Sequence, residues 1–210
     1  MTFPNAFSGV RKIFLAELLM IAAEVFTIIS AILMIIGSRN ASVLGGAVIV
    51  FGVVFLVAAI CSFILNLMGI SAAMRDEPSF KSALIFTLVG LGASFVSGFF
   101  AQGSFGKSFF ELVQSIANII VTLMIIQGIM NLADRLGNAG MAERGKRIMM
   151  LILAVQVGAM VARLVSEIFR SNGGLIVAGA ILIIAGIAAI VGYFLYLGYL
   201  KRAKEMLEFS

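Results

Sequence analysis

An all-α, polytopic bundle of six transmembrane helices is the fold class this sequence predicts. Three observations carry the prediction. Of the 210 residues, 62% are hydrophobic and 12% charged, against about 25% charged in ordinary soluble proteins. Apolar runs long enough to cross a bilayer as helix, about 20 residues each, recur along the chain. The basic residues stand between these runs or at their ends, with Arg163 the exception.

The spans read as about 13–36, 43–74, 80–101, 109–134, 147–170 and 174–200. The joints carry turn chemistry: Gly37-Ser-Arg-Asn, Arg75-Asp-Glu-Pro78, Gln102-Gly-Ser-Phe-Gly-Lys107, Gly137-Asn-Ala-Gly140 and Ser171-Asn-Gly-Gly174. No joint is long enough to hold a folded unit, so residues 1–210 read as a single transmembrane domain. The first apolar run exceeds the ~7–15-residue core of a signal peptide and reads as a retained helix.

On the first span, Glu17 and Glu24 lie seven residues apart and share a face. Glu17 is near the interface, where it reaches water or pairs with Arg11 or Lys12. Glu24 stands midway between Lys12 and Ile36, at the expected midplane. A carboxyl at that depth is either a structural latch to a neighbouring helix or a proton or ion site. The third span has a small-residue ladder, Gly90-Ser94-Gly98, flanked by Ala93-Ser97-Ala101. The fourth places Gln114, Asn118 and Thr122 on one face, then Gln127, Asn131 and Asp134 on another. Asn66 and Gln156 lie at similar inner depths. Such amides are expected to bond helix to helix. Lining a wet cavity is the second reading.

The fifth span, Arg147 to Arg170, is the most informative. Ala154, Gly158, Ala162 and Ser166 recur every fourth residue, a face that admits a close neighbour. Gln156, Arg163 and Glu167 fall within about 40° of one another on the far side. Arg163 is expected to snorkel outward and lean on Glu167, or to form an interhelical ion pair or an anion site. Its height, within ~6 Å of that of Glu24, allows a contact between the first and fifth helices. The sixth span carries Ala178, Ala185, Ala189 and Gly192, again packing residues. Tyr193, Tyr196 and Tyr199 before Lys201 fit an interfacial belt.

Orientation follows from Lys and Arg. Eleven flank the termini and the second and fourth joints, from Arg11 and Lys12 to Lys201, Arg202 and Lys204. Arg39, Lys107 and Arg170 alone mark the other side. Both termini are therefore expected in the cytoplasm. Each even span ends in a glycine before the charges: Gly69, Gly128 and Gly198. Odd spans begin just after Lys12, Lys81 and Arg147. That spacing suggests three helical hairpins in tandem. A three-plus-three inverted repeat is also compatible with the topology.

Phe7-Ser-Gly-Val-Arg-Lys-Ile-Phe-Leu-Ala-Glu17 and the segment from Asn66 to Lys81 (NLMGISAAMRDEPSFK) resemble uncharacterised multi-span membrane proteins of Gram-positive anaerobic bacteria. The resemblance implies a compartment, the bacterial plasma membrane, and brings no known activity.

Catalysis lacks materials. There is no histidine for Ser–His chemistry or a His-ligated metal, and one cysteine, Cys61, leaves no disulfide within the chain. Gly140-Met-Ala-Glu-Arg-Gly-Lys146 mimics part of a phosphate loop, but Arg147 replaces the Ser or Thr and no strand precedes it. The net charge of +5 sits at helix ends and is no nucleic-acid signal. No cofactor is expected and the bilayer is the first partner. Two readings follow. In the first, a non-catalytic bundle packs with itself or with partner helices. In the second, a small transporter or channel moves a small solute, a proton or an ion, using Glu24 with Arg163 as counter-charge.

Overall fold

The computed structural model describes residues 2–36, 41–168 and 172–209; of these, the side chains of 30, 33–36, 41–49, 159–168, 172–178, 180 and 182 lie outside the description. Among the described residues the protein is helical throughout, with no strand. The six helices are α1 (Pro4–Ile36), α2 (Ala41–Ala73), α3 (Ser79–Ser97), α4 (Phe105–Arg135), α5 (Ala139–Ile168) and α6 (Asn172–Glu208). Among the described residues, four stretches are long and apolar enough to cross a membrane: Val50–Ala73, Ser79–Ser97, Phe105–Arg135 and Ile183–Glu208.

Several helices overrun the apolar spans. α1 starts at Pro4 and not near 13, α5 at Ala139 and not near 147, and α6 runs on to Glu208. Hydropathy marks the part of a helix that suits hydrocarbon, whereas capping decides where the helix stops. Three caps illustrate this. The first turn of α1 has no acidic residue of its own. Instead Asp76, from the α2–α3 turn, accepts from the Ala6 backbone N–H at 2.7 Å and from Asn5 Nδ2 at 2.9 Å. A carboxylate there satisfies a free N–H and opposes the helix dipole. α4 closes on Gly137 in the left-handed region, φ 69°. The Asn138 N–H returns to the Ala133 carbonyl at 2.8 Å and the Gly137 N–H to that of Asp134 at 3.0 Å, the double closure that glycine at this position permits. Asn138 then caps α5, its Oδ1 accepting from the Met141 N–H at 3.1 Å. α3 ends at Ser97, earlier than the span to 101, because Phe99 and Phe100 turn back through bonds to Val96 and Ser97.

Consecutive helices pair most extensively, α1 on α2, α3 on α4 and α5 on α6. Thinner contacts of α2 with α3, α4 with α5, and α6 with α1 close the three pairs into a ring. At one end each pair has a glycine in close contact. A Cβ on Gly9 would lie 2.5 Å from the Gly69 carbonyl, and one on Gly69 would lie 2.7 Å from that of Gly9. The backbones of α1 and α2 therefore touch, as only small residues allow. Gly128 makes room for the Phe80 ring and Gly145 for Tyr199 and Met130. The repeated glycine pattern thus works at Gly69 and Gly128 and breaks at Gly198, which has no atom within 4 Å of its absent Cβ.

The core lies at this same end, with both termini and the α2–α3 and α4–α5 turns. Val10, Ile13, Ile70, Phe80, Ile126, Leu132 and Leu200 are fully buried there. Toward the other end Val25, Val53, Leu88, Phe95, Ile183 and Ile187 are exposed. The Gly90 face packs on Ala117, with Ala93 and Ser97 buried beside it. On α5 the expected tight neighbour is absent among the described residues: Ala154 is exposed and Gly158 has open space. The side chains of Ala162 and Ser166 lie outside the described residues.

Candidate functional site

The ring surrounds open space lined by both polar and apolar side chains. A cavity of about 430 Å³ is bounded by α1, α2, α3, α4 and α6. Its polar wall includes Glu17, Asn66, Ser94, Gln114, Asn118 and Thr122. A second cavity of about 290 Å³, reached by Gln156 of α5, shares Glu17, Thr122 and Tyr196 with the first. Polar groups from all six helices therefore converge around one carboxylate. Periodicity puts them there: Gln114, Asn118 and Thr122 recur every fourth residue and so line one stripe of α4. Ile125 and Tyr196 line the cavity and also belong to the buried core, so the closed end forms its floor.

Glu17 is half-buried, and its Oε2 accepts from the Tyr193 hydroxyl at 2.8 Å. That bond ties α1 to α6, and hence the first hairpin to the third. The expected partners Arg11 and Lys12 are not used. They lie six and five residues before Glu17, more than 100° away around the helix, and Lys12 lines a separate outer groove with Arg75. Across the cavity the Asn66 side-chain oxygen is buried without a hydrogen-bond partner. A buried amide oxygen left unpaired costs free energy. Ser62, one turn earlier on α2, is satisfied by the Ala16 carbonyl at 2.9 Å.

Under the floor sits a polar cluster. The Glu77 side chain, 3% exposed, is 2.7 Å from Arg135 Nη2. Asn131 Nδ2 donates to Glu77 Oε1 at 2.8 Å, the Ser79 hydroxyl donates to the same oxygen at 3.0 Å, and Gln127 donates to Asn131. Arg135 Nη1 also reaches the Asp76 carbonyl at 3.2 Å. The α2–α3 turn is thereby locked to the end of α4, joining the first two hairpins. Outside the membrane-like band, Glu143 pairs with Arg147, and that guanidinium holds its carboxyl below the usual range.

Of the residues singled out by sequence, Glu17 lines both cavities, Asn118 the first and Gln156 the second. Glu24, two turns beyond Glu17, is exposed and lines neither cavity. The side chains of Arg163 and Glu167, and so the contact of Glu24 with Arg163, lie outside the described residues. In the described contacts α1 packs on α2 and α6. The sequence reading missed three participants. Tyr193 and Tyr196 were expected in an interfacial belt, yet they face inward. Their three-residue spacing put them on one helix face, which was the available signal. Glu77 was read as turn punctuation; nothing local distinguishes it, since Asn131 and Arg135 meet it from more than 50 residues away. Among the described residues no group of three or more His, Cys, Asp or Glu side chains is gathered for a metal. No family model, no curated protein and no solved structure matches the chain.

Proposed function

We propose that the protein is a six-span integral membrane protein whose three hairpins surround a polar chamber for a small polar solute or a proton. The observation that supports this reading is the placement of Glu17, Asn66, Gln114, Asn118 and Gln156 on two cavities that share Glu17, Thr122 and Tyr196 in a chain that is 62% hydrophobic. Amides and carboxylates within spans are costly in hydrocarbon, and facing a wet cavity offsets that cost. Glu17 takes the role that the sequence had assigned to Glu24. It is the ionisable carboxylate of the chamber wall, and Tyr193 orients it. The apolar floor and the Glu77–Arg135 cluster close the chamber toward the end that carries most Lys and Arg. With the positive-inside rule, that end is cytoplasmic and both termini lie inside. The resemblance on Phe7–Glu17 and Asn66–Lys81 supports a bacterial plasma membrane.

The test is flux in proteoliposomes of the purified chain: proton uptake under a potassium diffusion potential, and osmotic swelling in glycerol and urea. Flux in one of these is expected, and Glu17→Gln should remove most of a proton flux or alter solute selectivity. Glu111→Gln, on an exposed carboxylate off the cavity, should leave it unchanged. Inert vesicles, or a Glu17→Gln protein that behaves as the parent in every flux, refute the reading.

One observation favours the second reading, a non-catalytic bundle that packs with itself or with partner helices. Among the described residues, Ala154 and Gly158 on α5 present a small-residue face without a neighbour. If vesicles are inert and Gly158→Leu converts an oligomer to a monomer in detergent, that reading takes precedence.

A further inference from the structure

The third of the repeated glycines points to a different site. Gly198 on α6 floors an open groove of about 400 Å³ between α5 and α6, at the end with both termini. Where Gly69 and Gly128 are filled by a facing helix or ring, Gly198 meets nothing within 4 Å. No packing demand within the chain accounts for the absence of a side chain there. Three arginines rim the groove: Arg144 and Arg147 from α5 and Arg202 from α6, all exposed. The carboxylate paired at this rim is Glu143, which engages Arg147 alone. Along α6 the groove runs from Arg202 through Gly198 to Phe194 and Leu195, and these last two are 62% and 48% exposed. Eight residues separate Arg202 from Phe194, so the charged rim and the apolar floor are about 12 Å apart along the helix.

We infer that this groove binds one anionic phospholipid, its phosphate between Arg144 and Arg202 and an acyl chain lying over Gly198 against Phe194 and Leu195. Guanidinium forks match phosphate oxygens in geometry as well as charge. Basic clefts between helices at the cytoplasmic interface suit anionic headgroups. A soluble phosphate would use the rim and leave the apolar trough empty; a lipid uses both. The inference rests on the membrane reading and not on the chamber.

The chain contains no tryptophan, so Phe194→Trp supplies a single reporter in the groove. The protein is reconstituted into mixed phosphatidylglycerol and phosphatidylcholine vesicles in which one lipid or the other is brominated. Quenching by brominated phosphatidylcholine alone reports insertion of α6, so failure of the membrane reading is seen separately, as no quenching by either lipid. A preference for phosphatidylglycerol on the order of tenfold is expected from two arginines near its phosphate. Arg144→Gln with Arg202→Gln should bring the preference close to unity. Arg11→Gln with Lys81→Gln removes the same charge from exposed positions off the groove and should leave it in place. Arg144→Lys with Arg202→Lys, which keeps the charge, should lose part of the preference and guards against a folding defect in the glutamine variant. Equal loss in the two glutamine pairs overturns the site in favour of general surface charge. No preference in the parent overturns it outright. Competition by millimolar inorganic phosphate that abolishes the preference assigns the rim to a free anion and overturns the lipid.

Discussion

Replacing either glycine at the α1–α2 crossing by alanine should weaken the fold, although alanine is the better helix former. On propensity alone, Gly9→Ala or Gly69→Ala gains up to about 1 kcal/mol. Packing opposes the gain. The new Cβ of Gly9→Ala would sit 2.5 Å from the Gly69 carbonyl and 2.8 Å from the Ala73 backbone nitrogen, where ordinary contact begins near 3.4 Å. The obstructing atoms are backbone, so no rotamer change relieves them and the helices must part by about 1 Å. A gap of that size forfeits a quarter to a half of each dispersion contact across it. Val10, Ile13, Ile70 and Ala73, all fully buried, line the seam and lose contacts together. Overpacking of this kind costs ~1–3 kcal/mol; with a rigid wall the upper part of that range applies, leaving a net loss of about 1–2 kcal/mol after the propensity gain. The double variant should lose less than the sum, because helices already parted by one methyl accept the second more cheaply. Gly52→Ala on the same α2 has nothing within 4 Å and should be neutral or stabilising. The assay is unfolding in mixed micelles by titration with SDS, followed by helical circular dichroism. If Gly9→Ala and Gly69→Ala are as stable as Gly52→Ala, the backbone contact does not exist and the packing argument for the hairpins fails with it.

Two further perturbations read the polar periphery. Arg135→Met should cost about 2 kcal/mol in the same assay, less than the ~3–5 kcal/mol of a fully buried broken pair, because Arg135 is 49% exposed and Asn131 and Ser79 still serve Glu77. Adding Glu77→Gln should recover part of that loss, since the uncompensated charge is gone; no recovery would mean that the charge was never the cost. For Glu143 the folded-state titration lies below its ordinary 4.5 because Arg147 is bonded to it. The pair's contribution is then complete above about pH 4.5 and is lost as pH falls through the lowered value. Carboxyl-carbon NMR should show that low titration in the parent and its return to the ordinary range in Arg147→Gln.

The helical class and the order of the elements were legible because each rests on local chemistry: apolar length, turn residues at the joints and basic flanks. The stripe of Gln114, Asn118 and Thr122 was legible as a stripe, since periodicity alone defines it. Whether it faced a helix or a cavity was not, because that depends on how far apart α3, α4 and α6 stand. Helix ends were misjudged wherever a cap came from afar; no window around Pro4 contains Asp76. Which carboxylate borders the cavity was not legible for a related reason. Depth within a span ranked Glu24 above Glu17, but depth says nothing about which face turns inward. Tyr193, which settles the environment of Glu17, is 176 residues away in sequence.

Stability and the chamber occupy different halves of the molecule, and the contacts that join the hairpins differ in kind from those that build them. Within hairpins the contacts are close and apolar, as at Gly9 against Gly69 and Phe80 against Gly128. Between hairpins polar ties, Glu77 with Arg135 and Asn131 for the first and second and Glu17 with Tyr193 for the third and first, stand beside apolar contacts such as Met130 against Gly145. Apolar packing resists separation over its whole area, whereas a hydrogen bond is exchanged for water or for another partner at little net cost. Relative motion should therefore be cheapest between hairpins, each moving as a unit. Glu17 stands at one of these seams and also in the chamber wall. A proton or a polar guest that takes the lone pairs now offered to Tyr193 would remove this hydrogen bond between α6 and α1. On the transport reading, occupancy of the chamber and the spacing of the hairpins are then coupled through one carboxylate, which gives a guest the differential affinity for two arrangements that any coupled movement requires.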